Sequence, residues 1–321
     1  MKMNRDIYKP VISVAMTTYN GSSYLREQLD SFSKQKTLPD ELIVCDDYSD
    51  DDTFEILQGF KRTAPFEVKL FRNSKTLGYN KNFEKAISKT RGDIIFLSDQ
   101  DDIWFTNKIE YVTQVFKDDN QALLVINDQQ LVDKSISRKG KTALKIIKKY
   151  GSSNLSFVSG CCTAFHADLK KVILPFPLYI IGYDSWIHKV AHYLSSRVVI
   201  GETLQYYRRH ENNVSKWIDN KDNGLVLRFI KSLSGMDNNY DTNVYLLRVI
   251  LNRIYKNSLP LKNSKTNIIN RIERDFNAWD ERNNLKKYNY AKRIGRILQM
   301  IRNGVYKDVL GYKCVVKDLL V

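Results

Sequence analysis

The sequence predicts an α/β fold: a mostly parallel sheet flanked by helices over residues 1–218, followed by a basic helical region over 219–321. Three observations carry this reading. Short apolar runs alternate with amphipathic helical patterns through the first half, as repeated βα units with right-handed crossovers do. Three of those runs end in polar or acidic loops, Thr17-Thr18-Tyr19-Asn20, Asp46-Asp47 and Asp99-Gln100-Asp101, which such a sheet brings to one edge. From about Trp217 the alternation stops and only helical periodicity remains.

The first strand is Val11–Met16, closed by the turn residues Thr17–Gly21. Ser22 or Ser23 can cap a helix that carries Tyr24, Leu25, Gln28, Leu29 and Phe32 at helical spacing. Leu42–Cys45 is a second buried strand, and Phe54, Ile56, Leu57 and Phe60 mark a short helix after it. Val68–Phe71 is the third strand; the loop Lys75–Gly78 leads to a helix over Asn80–Ser88. Ile94–Leu97 is the fourth strand, followed by a helix through Ile109, Val112, Val115 and Phe116 and a strand from Ala122 to Ile126. Further on, Ser185–Leu194 has a helical pattern and Leu204–Tyr207 reads as a strand. Beyond the boundary, Val244, Leu247, Leu251 and Ile254 form one apolar stripe. Ile294, Ile297, Leu298, Ile301 and Val305 form another, flanked by Lys292, Arg293, Arg296 and Arg302.

Composition bounds the function classes. With 321 residues, 43% hydrophobic and 27% charged, the chain is ordinary for a globular protein. No run approaches the ~18–20 apolar residues of a membrane span. Met1–Asp6 contains no apolar core of a signal peptide, and the four cysteines lack CxxC spacing, so a cytoplasmic chain with reduced thiols is expected. The net charge of +15 is uneven: residues 1–218 carry 31 Lys and Arg against 26 Asp and Glu, residues 219–321 carry 20 against 10. A nucleic-acid partner would need a basic groove on the first region, whose proposed ligand edge is acidic; none is expected. The basic helix near residue 300 either packs on the rest of the chain or lies on an anionic membrane at the inner face of the cell membrane.

The acids at the sheet edge point to metal chemistry. Asp99, Asp101 and Asp102 follow a buried strand within four positions, and carboxylates so close repel one another. A hard cation, Mg²⁺ or Mn²⁺, relieves that repulsion with one or two protein oxygens and takes its other ligands from phosphate and water. The competing reading is a solvated acidic turn. Neither GxGxxG nor GxxxxGK[ST] occurs, so a nucleotide on this edge would need a cation to offset its charge. The Asp46–Asp52 run fits no calcium-loop register, because Asp52 stands where Gly is required and Gln58 where Glu is. Asp46 or Asp47, fixed at a strand end, can accept from a base N–H or a ribose hydroxyl.

Four segments in one frame, Val11–Gly21 (VISVAMTTYNG), Leu42–Asp52 (LIVCDDYSDDD), Leu77–Phe83 (LGYNKNF) and Asp93–Trp104 (DIIFLSDQDDIW), together resemble family 2 glycosyltransferases of the GT-A fold. The likeness is greatest to the bacterial rhamnosyltransferase-like branch of surface polysaccharide assembly. It continues through Val158–Thr163, Gly182–Trp186 and Tyr206–Asn213. The resemblance implies that Thr17, Tyr19 and Asp47, with Asp46 beside them, line the nucleotide. It implies that Asp99 and Asp101 form the DXD pair, that Asp184 is the general base, and that His210 lies near diphosphate and metal. Where relatives commonly read His-Asp-Trp-Trp, this chain has Tyr183-Asp184-Ser185-Trp186.

Sugar transfer requires a neutralised leaving diphosphate, a base for the acceptor hydroxyl, and alignment of the two substrates. Asp99 and Asp101 serve the first requirement and Asp184 the second; a base opposite the leaving group inverts the anomeric carbon. Trp186 is placed to stack on a sugar, although a Trp on an apolar helix is more often core, and Asp184 has a helix cap as its competing role. His210 can join a mixed carboxylate site, with Arg208 and Arg209 pairing with phosphate. The expectation is an inverting, metal-dependent glycosyltransferase. Its nucleotide-sugar donor is dTDP-rhamnose first and UDP-sugars next; its acceptor is a saccharide or lipid-linked. A retired binding protein and a nucleotidyltransferase are the alternatives.

Overall fold

A computed structural model describes residues 9–149, 157–211, 213, 240–259, 263–307 and 313–320. They fall into two compact units, Met1–Asn212 with Leu259–Lys262 and Asn213–Ser258 with Asn263–Val321. The sequence boundary at 218/219 lies outside the described residues.

The first unit holds a nine-stranded sheet in the order β3-β2-β1-β4-β8-β6-β9-β5, with β7 paired to β6. The strands are β1 (Ile12–Thr18), β2 (Glu41–Asp46), β3 (Glu67–Arg72), β4 (Ile94–Ser98), β5 (Ile103–Trp104), β6 (Leu124–Asp133), β7 (Lys139–Thr142), β8 (Thr163–His166) and β9 (Arg197–Arg209). The helices are α1 (Ser22–Ser33), α2 (Thr53–Thr63), α3 (Tyr79–Lys89), α4 (Lys108–Asp118), α5 (Ala143–Lys149), α6 (Ala167–Ile173) and α7 (Tyr183–Tyr193). β1, β2 and β4 are almost wholly buried, as expected where helices cover both faces. Val14, Met16, Leu25, Phe32, Val44, Phe96, Trp104 and Val125 share one core on one side of the sheet.

The register sets up the site. Thr18 stands opposite Asp46, Asp46 opposite Arg72, and Met16 opposite Ser98, so four parallel strands end level. The sheet is mixed, however, and less parallel than its first four strands suggested. β8 runs against both β4 and β6, and β5 runs against β9. β8 is only four residues long and follows the 3₁₀ turn Gly160–Cys162, so it gives no periodic signal in the sequence.

The second unit is helical: α8 (Tyr240–Lys256), α9 (Lys265–Asn284), α10 (Tyr290–Arg302) and α11 (Lys313–Leu320). Ile297 and Met300 of α10 pack with Leu285, Tyr306 and Cys314. The same helix leaves Tyr290, Leu298 and Ile301 exposed. No helix among the described residues is long and apolar enough to cross a membrane.

Candidate active site

Three strand-end loops are tied into one rim. The backbone N–H of Tyr19 donates to Gln100 Oε1 at 2.8 Å, and Gln100 Nε2 donates back to the Tyr19 carbonyl at 3.0 Å. Gly21 lies so close to the Gln100 amide that any Cβ there would collide with it. Asn20 N–H donates to Ser49 Oγ (3.0 Å), Asp50 N–H to Asn20 Oδ1 (3.0 Å) and Gly21 N–H to Thr53 Oγ1 (2.8 Å). The loops after β1, β2 and β4 therefore hold one another in place.

Asp46 and Asp47 build this rim and do not lie open to a ligand. Asp46, fully buried, accepts from Thr18 Oγ1 (2.9 Å), from Ser49 Oγ (2.5 Å) and from the Ser49 N–H (3.0 Å). Asp47 accepts from Asn73 Nδ2 (2.8 Å) and from the N–H groups of Leu77 (2.8 Å) and Gly78 (2.9 Å), which fixes the loop after β3. Asp46 and Asp47, expected at base and ribose, brace the loops after β1, β2 and β3 through hydroxyl, amide and backbone N–H donors. Beside them opens a cleft of about 560 Å³ lined by Tyr48, Ser49, Asp50, Arg72, Asn73 and Ser74. Tyr19 and Tyr48 expose their rings here and at β1, while Thr17 is half-buried at the strand end.

Asp99, Asp101 and Asp184 lie near enough for their charges to act on one another. Burial, with the neighbouring carboxylates of Asp101 and Asp184, pushes the Asp99 carboxyl up to about 7. Asp101 Oδ2 meets His210 Nε2 at 2.7 Å, and Tyr24 stacks on that imidazole with ring centres 4.7 Å apart. Arg208 is almost wholly buried. It lies over Tyr24 and donates to the Asp101 carbonyl (3.0 Å), to Glu27 Oε2 (2.8 Å) and to the Lys134 carbonyl. Arg208 is therefore a brace for the acidic loop and not a phosphate ligand. Arg209 is half-buried at the end of β9.

A second, buried layer supports the acids. Gln205 Nε2 donates to Asp102 Oδ2 (2.9 Å), and the Lys108 ammonium donates to Gln205 Oε1 and to the Cys161 carbonyl (2.9 Å) while lying 4.0 Å over the Trp104 ring. Burial brings that ammonium down to about 8. Asp99, Asp102 and Cys161 offer ligand atoms all within 4.8 Å of one another, and Asp102 Oδ1 is buried with no hydrogen-bond partner. This donor set of carboxylate oxygens fits a hard divalent cation; burial and the neighbouring Cys162 hold the Cys161 thiol protonated, which suits it less.

Asp184 sits in the first turn of α7. The cap position is Gly182, which contributes no side chain, and Asp184 two positions on takes up a first-turn N–H of the helix, so it also serves in part as a cap. Its Oδ1 accepts the Ser185 N–H at 2.7 Å, and burial raises its pKa. Tyr183 stacks on Phe83 at 3.8 Å, its hydroxyl filling the space where Gly160 lacks a side chain. Trp186 does not face a ligand. At 2% exposure it belongs to the core, with its indole N–H donating to the Ile173 carbonyl at 2.9 Å. Gln100, Tyr48, Lys108 and Gln205 escaped sequence reasoning; for Gln100 alone the neighbouring acids were a signal.

The sequence profile of glycosyl transferase family 2 matches residues 13–173, half of the chain. The chain belongs to that family. Among relatives of this glycosyltransferase, the UDP-Glc:alpha-D-GlcNAc-diphosphoundecaprenol beta-1,3-glucosyltransferase WfgD of Escherichia coli is 26% identical over 265 residues, 79% of this chain and 98% of WfgD. The dTDP-rhamnosyl transferase RfbG of Shigella flexneri is 26% identical over 219 residues, 62% of this chain and 72% of RfbG. The glycosyltransferase also shares its fold with residues 1–349 of S. aureus TarS in complex with UDP. That match has TM-score 0.56 and 18% identity, and covers 96% of this chain and 88% of TarS 1–349.

Proposed function

We propose that this glycosyltransferase is inverting and metal-dependent, and that it moves a sugar from a uridine or thymidine diphosphate donor onto a lipid-linked saccharide. UDP-glucose and dTDP-rhamnose are the donors to test first, in keeping with the names of WfgD and RfbG. The observation that carries the reading is the meeting of Asp99, Asp101 and Asp184: the latter two carboxylates lie near enough to raise the pKa of Asp99, beside the loop that Gln100 ties to Tyr19. Scattered acids would have left no room for this chemistry.

Asp99 and Asp101, with His210, are the residues to hold Mg²⁺ or Mn²⁺, which when bound neutralises charge on the departing diphosphate. Tyr19, Thr17 and Tyr48 wall the nucleoside side, and the rings of the two tyrosines are open to stack on a base. Asp184 takes the proton of the acceptor hydroxyl as that oxygen attacks. Its raised pKa makes it a better proton acceptor than a solvated carboxylate. Attack from the Asp184 side, opposite the diphosphate, inverts the anomeric centre. Exposed Tyr290, Leu298 and Ile301 on α10, beside exposed Lys292 and Arg302, support reversible attachment to an anionic membrane.

The test is release of nucleoside diphosphate from a panel of dTDP-, UDP- and GDP-sugars, with and without Mn²⁺. Turnover that persists after chelation and in the Asp101→Ala variant would end the metal-dependent reading.

A further inference from the structure

Next to Asp184 the protein displays an apolar lip. Leu178, Tyr179 and Ile181 are 62%, 74% and 79% exposed, and no other described stretch of the first unit exposes three large apolar side chains so close together. Leu77 and Tyr79, themselves 40% and 43% exposed, extend the patch: Tyr79 Oη donates to the Ile181 carbonyl at 2.7 Å. The lip is anchored from beneath. Phe176 is buried with its N–H on Glu84 Oε1 (3.1 Å), and the Tyr183 N–H donates to Asn80 Oδ1 (2.7 Å). Its apolar side chains are thus held outward by a fixed backbone and do not fold back onto the core.

We propose that this lip binds the hydrocarbon chain of the lipid-linked acceptor; the proposal rests on the reading of the active site given above. Three arguments select this occupant. The lip runs directly into the residue assigned as base, Ile181 standing three positions before Asp184, so a hydroxyl delivered to Asp184 brings its aglycone past these side chains. From Pro175 to Tyr183 there is no charged residue, so a bare saccharide or a charged peptide gains little there, whereas hydrocarbon gains by leaving water. Exposed Lys75, two positions before Leu77, offers a cation for the phosphate that joins sugar to lipid.

The test uses the full chain and its Leu178→Ser/Ile181→Ser variant, both sites being at the surface, with matching thermal melts as the check on folding. Farnesyl phosphate, a soluble short polyprenyl phosphate, is titrated in the absence of donor. The parent is expected to bind it at least about tenfold more tightly than the variant, from the apolar area lost. Binding of UDP and dTDP with Mn²⁺ should be the same in both. Neutral phosphatidylcholine vesicles should retain the parent only when they contain a polyprenyl phosphate. Equal farnesyl phosphate affinities would overturn the proposal. So would equal retention on plain vesicles, which means bilayer contact, or a parent dimer that the double substitution dissolves, which means a second copy occupies the lip. Failure of the active-site reading has a separate signature: neither nucleotide binds, whatever farnesyl phosphate does.

Discussion

Replacing Asp99 with Asn tests whether the acidic cluster is built for a cation at the expense of stability. In the cation-free protein the Asp99 carboxyl titrates near 7, against 3.8 for an ordinary aspartate, first because it is buried and then because Asp101 and Asp184 lie beside it. The folded chain therefore binds more protons than the unfolded chain between roughly pH 4 and pH 7, and stability must fall as pH rises through that window. A difference of about 3 pKa units corresponds to no more than about 4 kcal/mol at pH 8, with some solvent at the carboxyl reducing it. For a unit of this size that is a rise in Tm of up to roughly 8–16 °C when the charge is removed. Calorimetric melts of parent and Asp99→Asn at pH 5 and pH 8, without divalent cation, measure it. The variant should melt higher at pH 8, the gap should shrink to less than half at pH 5 and close only near pH 4, and only the parent should gain stability on addition of Mn²⁺. A variant less stable than the parent at pH 8 would refute the assignment of Asp99 as a strained ligand.

Asp184→Asn should bind donor as the parent does and lose transfer by about 10²–10⁴-fold in single-turnover assays; near-parental turnover would remove Asp184 as the base. Lys108→Met keeps the apolar stem but strips the buried cation from the Gln205–Asp102 layer. Denaturant unfolding should show a loss of about 1–3 kcal/mol, since the buried Gln205 Oε1 and the Cys161 carbonyl lose their donor. Changing Lys292 and Arg302 to Gln should weaken binding to anionic vesicles by about 30-fold at low salt, at roughly 1 kcal/mol per lost basic residue, and an unchanged affinity would leave α10 a packing helix.

What the sequence made legible is what local pattern encodes. Apolar runs closed by acids give β1, β2 and β4 and place their loops on one edge, because parallel strands joined by helices must end level. What it concealed depends on contacts remote in the chain. Trp186 shares its helical face with buried Val190, a spacing that marks core, and its indole N–H donates to the Ile173 carbonyl. In the sequence Arg208 is expected to pair with phosphate, and nothing singles out Lys108. Each is buried because an acidic loop some distance away needs bracing: Arg208 reaches back to Asp101, and Lys108 forward through Gln205 to Asp102.

That division bears on how the site works. The candidate residues after β1, β2 and β4 sit on loops, where three backbone segments converge and no single element dictates geometry. Their rigidity is imported from β9, whose Gln205, Arg208 and following His210 reach Asp102, the Asp101 carbonyl and the Asp101 carboxylate in turn. One strand thus sets the positions of both acids that follow Gln100. A change of register in β9 by one residue would turn Gln205 and Arg208 to opposite faces and release Asp101 and Asp102 together. The acidic motif is therefore insufficient alone: with Asp99-Gln100-Asp101-Asp102 intact, a displaced β9 would leave Asp101 and Asp102 without these partners.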